Sequence, residues 1–242
     1  MFKKLNNFMK LLGFIGGMNW QSTVEYYKTI NNLVNKRLGM NHSARIVFYS
    51  VDFEDILELE MQNNWELVKE KMGDISVSLE KAGAEGLVIC SNTMHLIAED
   101  LQNVTNIPII NVIDATADEI KKNRIDSVGL LGTKFTMEGE FYKNRLKDKH
   151  KLKVFIPESK DIEIINNIIY KELAYGNVNS NSKKEIKRIV EQLISDGADG
   201  IILGCTELPM IINPNETDAL LFDTLLIHMR AAMNFSFNEY LG

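Results

Sequence analysis

The 242-residue chain has few of the residues that staple a fold or bind metal. It holds two cysteines and four histidines, and two thiols with no CxxC or Cys/His ligand spacing make neither a disulfide framework nor a structural zinc site. No apolar run approaches the roughly 20 residues needed to cross a bilayer, so no membrane span is expected. The apolar stretch after the lysines of residues 1–10 is brief, broken by glycines and lacks a small-residue cleavage site, unlike a secretory leader. A cytoplasmic protein is the expectation. A net charge of −6, read together with an absence of any Lys/Arg cluster, argues against nucleic acid, because neutralising phosphates needs concentrated positive charge. Low-complexity tracts and flexible linkers are also missing. Gly13, Gly16 and Gly17 do not have the spacing of GxGxxG, and no acidic residue ends a second strand as a dinucleotide fold requires. They read instead as positions where backbone passes close to a ligand or a neighbouring loop.

What the chain does contain is one segment written twice. Gly83-Ala-Glu-Gly-Leu-Val-Ile-Cys-Ser-Asn-Thr93 recurs as Gly197-Ala-Asp-Gly-Ile-Ile-Leu-Gly-Cys-Thr-Glu207. Without a gap, the copies set Gly86 on Gly200, Cys90 on Gly204 and Ser91 on Cys205. Upstream, Leu12-Gly-Phe-Ile-Gly-Gly-Met18 resembles Val128-Gly-Leu-Leu-Gly-Thr133 at nearly the same distance from its partner. Two related half-domains are the simplest source of such a pattern.

Short β-branched runs alternate with segments of helical period. Residues 11–15, 46–51, 86–90, 107–112, 127–131, 153–156 and 200–203 read as strands, several of them apolar on both faces as parallel strands are. Val68, Met72, Ile75, Leu79 and Ala82 form one stripe of an amphipathic helix leading into the first repeat, and Ile186, Ile189, Val190, Leu193 and Ile194 do the same before the second. Asn177 to Ser182 reads as a loop, and Leu220 to Met233 as a helix. The predicted architecture is α/β: two pseudo-symmetric lobes, each a mostly parallel sheet flanked by helices, with an active site in the cleft between them. The lobes are expected to comprise residues 1–115 plus 219–242 and residues 116–218, with the split near Asp114 to Asn123.

Ligands of open parallel sheets sit beyond the carboxyl ends of the strands. Ser91-Asn92-Thr93, Cys205-Thr206-Glu207, Gly16-Gly17-Met18 and Gly132-Thr133 all occupy that place. A helix beginning near Cys205 would favour the thiolate through its backbone N–H groups; an isolated cysteine would otherwise read as core, and the repeat with its polar neighbours shifts the reading toward a catalytic thiol. Asn92, Thr93, Thr133, Thr136 and Thr206 supply neutral donors for carboxylate oxygens, and Glu207 suits an ammonium. Thr93, Thr136 and Thr206 equally suit helix caps. His95 serves either the Ser91 side or a nearby backbone group. Trp20 and Trp65 read as core or pocket wall, and Arg45 as a surface residue.

Four separated motifs, in order, resemble the aspartate/glutamate racemase family. They are Gly-Gly-Met18 with Ser22-Thr23 and Tyr26-Tyr27; Asn92-Thr93-Met94-His95; Leu131-Gly132-Thr133 with Thr136-Met137-Glu138; and Gly204-Cys205-Thr206-Glu207. The resemblance runs from about Leu11 to the end of the chain. It implies a cofactor-independent amino-acid racemase, usually a homodimer, with an amino-acid or dicarboxylate substrate and with Met18, Gln21 and Met94 joining the binding residues. Such enzymes place one thiol on each side of the substrate α-carbon.

Here the chain departs from the family, whose first cysteine directly precedes Asn-Thr. That position holds Ser91, close to a branch that lacks the first catalytic cysteine, and Cys90 stands one residue earlier. Adjacent side chains of a strand point to opposite faces, so Cys90 is expected in the core and Ser91 opposite Cys205. A serine hydroxyl is a poor base near neutral pH, which predicts an asymmetric site favouring one enantiomer. The same fold with one thiol also suits a decarboxylase of the arylmalonate type or a maleate-type cis-trans isomerase, and loss of a cysteine also suits a non-catalytic amino-acid binder.

Overall fold

The computed structural model describes residues 9–239; residues 1–8 and 240–242, expected in the first lobe, lie outside the described residues. The chain runs through β1 (Leu12–Gly16), α1 (Trp20–Leu38), β2 (Ile46–Ser50), α2 (Phe53–Met61), α3 (Trp65–Lys81), β3 (Gly86–Ile89), α4 (Ala98–Val104) and α5 (Val112–Lys122). It continues with β4 (Ser127–Leu131), α6 (Lys134–Glu138), α7 (Glu140–Asn144), β5 (Lys153–Phe155), α8 (Ser159–Lys171), α9 (Ser180–Ser195), β6 (Gly200–Leu203), β7 (Leu220–Asp223) and α10 (Thr224–Ser236).

The strands form two sheets, ordered β2-β1-β3 and β5-β4-β6-β7, and every pairing is parallel. Parallel neighbours need crossover connections, and helices supply them. The chain divides into two compact units. Among the described residues the first comprises 9–91, Ile97–Ile110 and 229–239, the second Asn92–Leu96 and Asn111–His228. In the first unit α3 turns Val68, Met72, Ile75 and Leu79 inward, while Leu12, Phe14, Leu87 and Val88 of the sheet are fully buried. In the second, α9 is capped by the Asn179 side chain and buries Ile186, Ile189, Val190 and Leu193, each contributing about 1.5–3 kcal/mol of transfer free energy.

The repeat is a repeat of register. Leu12 pairs with Gly86 in the first sheet, and their counterparts Val128 and Gly200 pair in the second. Cys90 N–H donates to Ile15 C=O at 2.9 Å, and Gly204 N–H donates to Leu131 C=O at 2.7 Å. Ala84 N–H closes on Leu79 C=O at 3.1 Å, matched by Ala198 on Leu193 at 3.0 Å. Gly83 and Gly197, which turn each helix into its strand, have φ of 92° and 109°, a region open to glycine and costly for other residues. The backbone hydrogen bonds thus recur at the positions that the ungapped sequence repeat makes equivalent.

Several expectations are corrected. Residues 107–112 form only an isolated bridge, Leu87 with Ile109. Pro108 has no N–H to give a ladder, and Asn111 caps α5, which starts at Val112. The chain passes to the second unit at Asn111, so Asp114 to Asn123, the expected split, lies almost wholly within one helix. Residues 220–233 are not one helix: Leu220–Asp223 is β7, paired with β6, so residues 219–223 belong with the second sheet. Helix α9 begins at Ser180, inside the expected loop.

Candidate active site

In the second unit the expected chemistry gathers beyond the carboxyl ends of β4, β6 and β7. Thr133 follows β4 and caps α6, its Oγ1 accepting from Thr136 N–H at 3.2 Å and lying 3.1 Å from Thr136 Oγ1. Thr133 is therefore the cap, and Thr136, 1% exposed, is its buried partner. Glu207, not Thr206, stands at the cap position of the turn Leu208–Met210; the Thr206 hydroxyl donates to Glu207 Oε2 at 2.7 Å.

Cys205 stands two residues past β6, half-buried against the core of its unit. Its Sγ–H donates to the same Glu207 Oε2 at 2.9 Å. The expected lowering of the thiol pKa is reversed. Burial, then the Glu207 carboxylate through charge and hydrogen bond, push the thiol well above its ordinary range, against weaker backbone N–H contributions from Glu207 and Thr206. The helical turn that follows, Leu208–Met210, is three residues long, too short to offset a carboxylate in direct contact. The site thus holds a protonated thiol with an acceptor already on its proton, and Glu207 Oε2 accepts from both Cys205 and Thr206.

A second cluster was largely invisible to sequence reasoning. Thr224, fully buried at the start of α10, donates its hydroxyl to Leu203 C=O at 2.8 Å and accepts from Asn92 Nδ2 at 3.1 Å. Asn92 Oδ1 accepts from the buried Tyr142 hydroxyl at 3.4 Å, a phenol that burial holds protonated against a hydrogen bond from Thr116. Asn92 is 6% exposed, and its two bonds tie the loop of residues 92–96 to α7 and α10. The signal for Thr224 was present as Asp-Thr after a four-residue apolar run, a strand end followed by a helix start. Reading 220–233 as one helix hid it.

His95, 5% exposed, accepts the Val112 N–H on Nε2 at 3.1 Å and stacks edge-on with His228, centroids 5.6 Å apart. That nitrogen carries no proton to relay while the bond stands. Met94 is buried, Thr93 half-buried.

In the first unit Gly17 and Met18 follow β1. A Cβ on Gly17, whose φ is 97°, would lie 2.2 Å from Val51 O and 2.6 Å from Val51 N, so close backbone approach is what requires glycine there. Thr23 Oγ1 accepts the Gly17 N–H at 2.8 Å. Met18 is buried, Gln21 exposed. Cys90 is 1% exposed, and burial pushes its thiol pKa well up; Ser91, just beyond it, is half-buried. Trp20 is not core: it is 64% exposed. Trp65 lies partly buried, with Nε1 on Asn63 Oδ1. Arg45 is exposed and donates to Met9 C=O. Among the described residues no helix is long and apolar enough to cross a membrane.

Two parallel α/β units of matched register, each carrying a polar or thiol residue at equivalent strand ends, define a class of duplicated α/β protein. The chain belongs to the Asp/Glu/hydantoin racemase family, whose model matches residues 15–232; racemases are isomerases. It is similar to the broad specificity amino-acid racemase RacX of Bacillus subtilis (strain 168), 22% identical over 217 residues, covering 88% of this chain and 92% of that protein. A solved structure from Yersinia pestis, assigned as an Asp/Glu racemase, shares 42% identity with a TM-score of 0.91, covering 94% of this chain and 99% of its own. An aspartate racemase homologue from Pyrococcus horikoshii OT3 shares 36% identity with a TM-score of 0.85 over the same shares.

Proposed function

We propose that this chain is a cofactor-independent racemase of acidic α-amino acids with an asymmetric pair of reactive groups, Cys205 and Ser91. The observation that carries the reading is the Cys205–Glu207 contact, at the strand end whose register-equivalent is Ser91. Cys205 passes its proton to Glu207 Oε2, which releases it to solvent. The resulting thiolate takes the α-proton from the enantiomer that presents it, and the electron pair of that C–H bond stays on carbon as a carbanion conjugated with the carboxylate. A new C–H bond forms on the opposite face with a proton delivered by the Ser91 hydroxyl, which solvent replaces. In the reverse direction Cys205 donates from sulfur and Ser91 has to abstract, a task for which a neutral hydroxyl is far weaker.

A thiol whose pKa is raised suits this work, because a more basic sulfur narrows the gap to a weakly acidic C–H bond. In this reading Thr133 and Thr206, on the loops after β4 and β6, are donors for the substrate carboxylates, Thr136 holds Thr133 in place, and Asn92, Thr93, Met94, Met18 and Gln21 are the further binding residues that the family resemblance implies. RacX acts broadly, which supports testing a panel beyond aspartate and glutamate. The test is chirality and α-hydrogen exchange across that panel with Cys205→Ala as control. Loss of all exchange in the variant supports the reading; exchange unchanged in Cys205→Ala, or binding with no exchange in the native chain, overturns it.

A further inference from the structure

Residues 143–153 carry Lys143, Arg145, Lys147, Lys149, Lys151 and Lys153 against Asp148 alone, a basic run that corrects the expectation of no Lys/Arg cluster in this chain of net charge −6. The structure divides these cations into two sets. Arg145, Lys149 and His150 close on the Asp114 carboxylate at 2.7–2.9 Å. Lys143, Lys147 and Lys151, spaced by four, line with Lys153 an open cavity of about 600 Å³, within the range of small-molecule sites.

The backbone that carries these lysines is regularly hydrogen-bonded. Arg145–Lys149 is wound as a π-turn, a rare form frequent at functional positions. It is closed by Lys151 N–H on Lys147 C=O and Leu152 N–H on Leu146 C=O, both at 3.0 Å. Around the cavity stand four ammonium groups and one carboxylate, Glu140, which pairs with Lys143 at 2.8 Å. Lys151 Nζ rests on the Asp148 carbonyl and Lys153 over the Phe155 ring; neither contact removes charge. Lys147 forms no ion pair among the described residues. Leu152 and Val154 add an apolar floor.

We propose that this cavity, apart from the candidate catalytic residues, binds a small multiply phosphorylated anion of the diphosphate class. Its excess of positive charge exceeds what a monovalent anion would neutralise. No arginine lines it, so recognition rests on separate ammonium point charges, the way lysine meets phosphoryl oxygens, and four of them around one carboxylate match an anion carrying several charges. The competing explanation is that lysines blunt the exposed edge of β5, the outermost strand of its sheet; it predicts no saturable ligand.

Calorimetric titration with inorganic pyrophosphate at fixed, near-physiological ionic strength separates the two. The proposal expects one pyrophosphate per chain, affinity falling roughly tenfold or more in Lys147→Ala, the worth of one charge-assisted hydrogen bond, and no change in Lys187→Ala, a basic position elsewhere. Thermal melts confirm that both variants fold. Absence of saturable binding, equal loss in both variants, or capture by phosphatidylserine vesicles without pyrophosphate binding would each overturn it.

Discussion

Replacing Thr224 by valine keeps the side chain's shape and deletes one oxygen. That oxygen donates to Leu203 C=O and accepts from Asn92 Nδ2, and both partners are nearly inaccessible, Leu203 at 2% and Asn92 at 6% exposure. Leaving a buried donor or acceptor unmade costs about 1–3 kcal/mol each. The methyl that takes the oxygen's place returns about 1 kcal/mol of apolar burial, so the expected net loss is about 1–5 kcal/mol, centred near 3. Thr224→Ser supplies the contrast: it keeps the hydroxyl and loses a methyl, for about 1 kcal/mol. Urea unfolding followed by circular dichroism should rank native above serine above valine. Valine as stable as serine would mean that the two bonds carry no net stabilisation and that the role of Thr224 is packing alone.

Three other expectations follow from the same contacts. Asp114 is pushed up by burial but held well below the ordinary carboxylate range by Arg145, His150 and Lys149; a carboxylate pKa lowered on folding gives stability that is full above about pH 4 and lost as pH falls toward the folded value. Asp114→Asn should therefore destabilise by roughly 3 kcal/mol near neutrality and flatten the acid limb of stability against pH, which stepwise acid unfolding would check. Glu207→Gln removes the charge in contact with Sγ; ligand-free Cys205 should then react faster with iodoacetamide at about pH 8, while racemisation falls for want of a proton acceptor. Ser91→Cys should raise turnover by roughly tenfold or more in the direction that starts on the serine side, whereas Cys90→Ala should leave turnover nearly unchanged; a dead Cys90→Ala that still folds would move the reactive role to Cys90.

The fold was legible where periodicity was long or duplicated. The α3 and α9 stripes, six of the strands and the pairing of Leu12 with Gly86 against Val128 with Gly200 all follow from apolar spacing and an ungapped repeat. Errors fell where a few residues decided the outcome. Pro108 cut a ladder that β-branched neighbours suggested, and Asp223-Thr224 ended a strand that apolar content merged into α10. At the candidate site, residue type and strand-end position were readable, but the state of the thiol was not. A helix dipole and an adjacent carboxylate act in opposite directions on Cys205, and only the 2.9 Å contact shows which one wins. Thr224 and Tyr142 were missed because their partners lie far away in sequence.

The central claim is that the duplicated strand ends carry unequal reactive groups. Its most direct measurement is the initial rate of deuterium incorporation at the α-carbon of L- and D-substrate, followed separately in deuterated buffer by NMR. The account predicts fast exchange for the enantiomer that meets Cys205 and much slower exchange for its mirror image, with Ser91→Cys narrowing the ratio. Equal, fast exchange of both enantiomers in the native chain would contradict it.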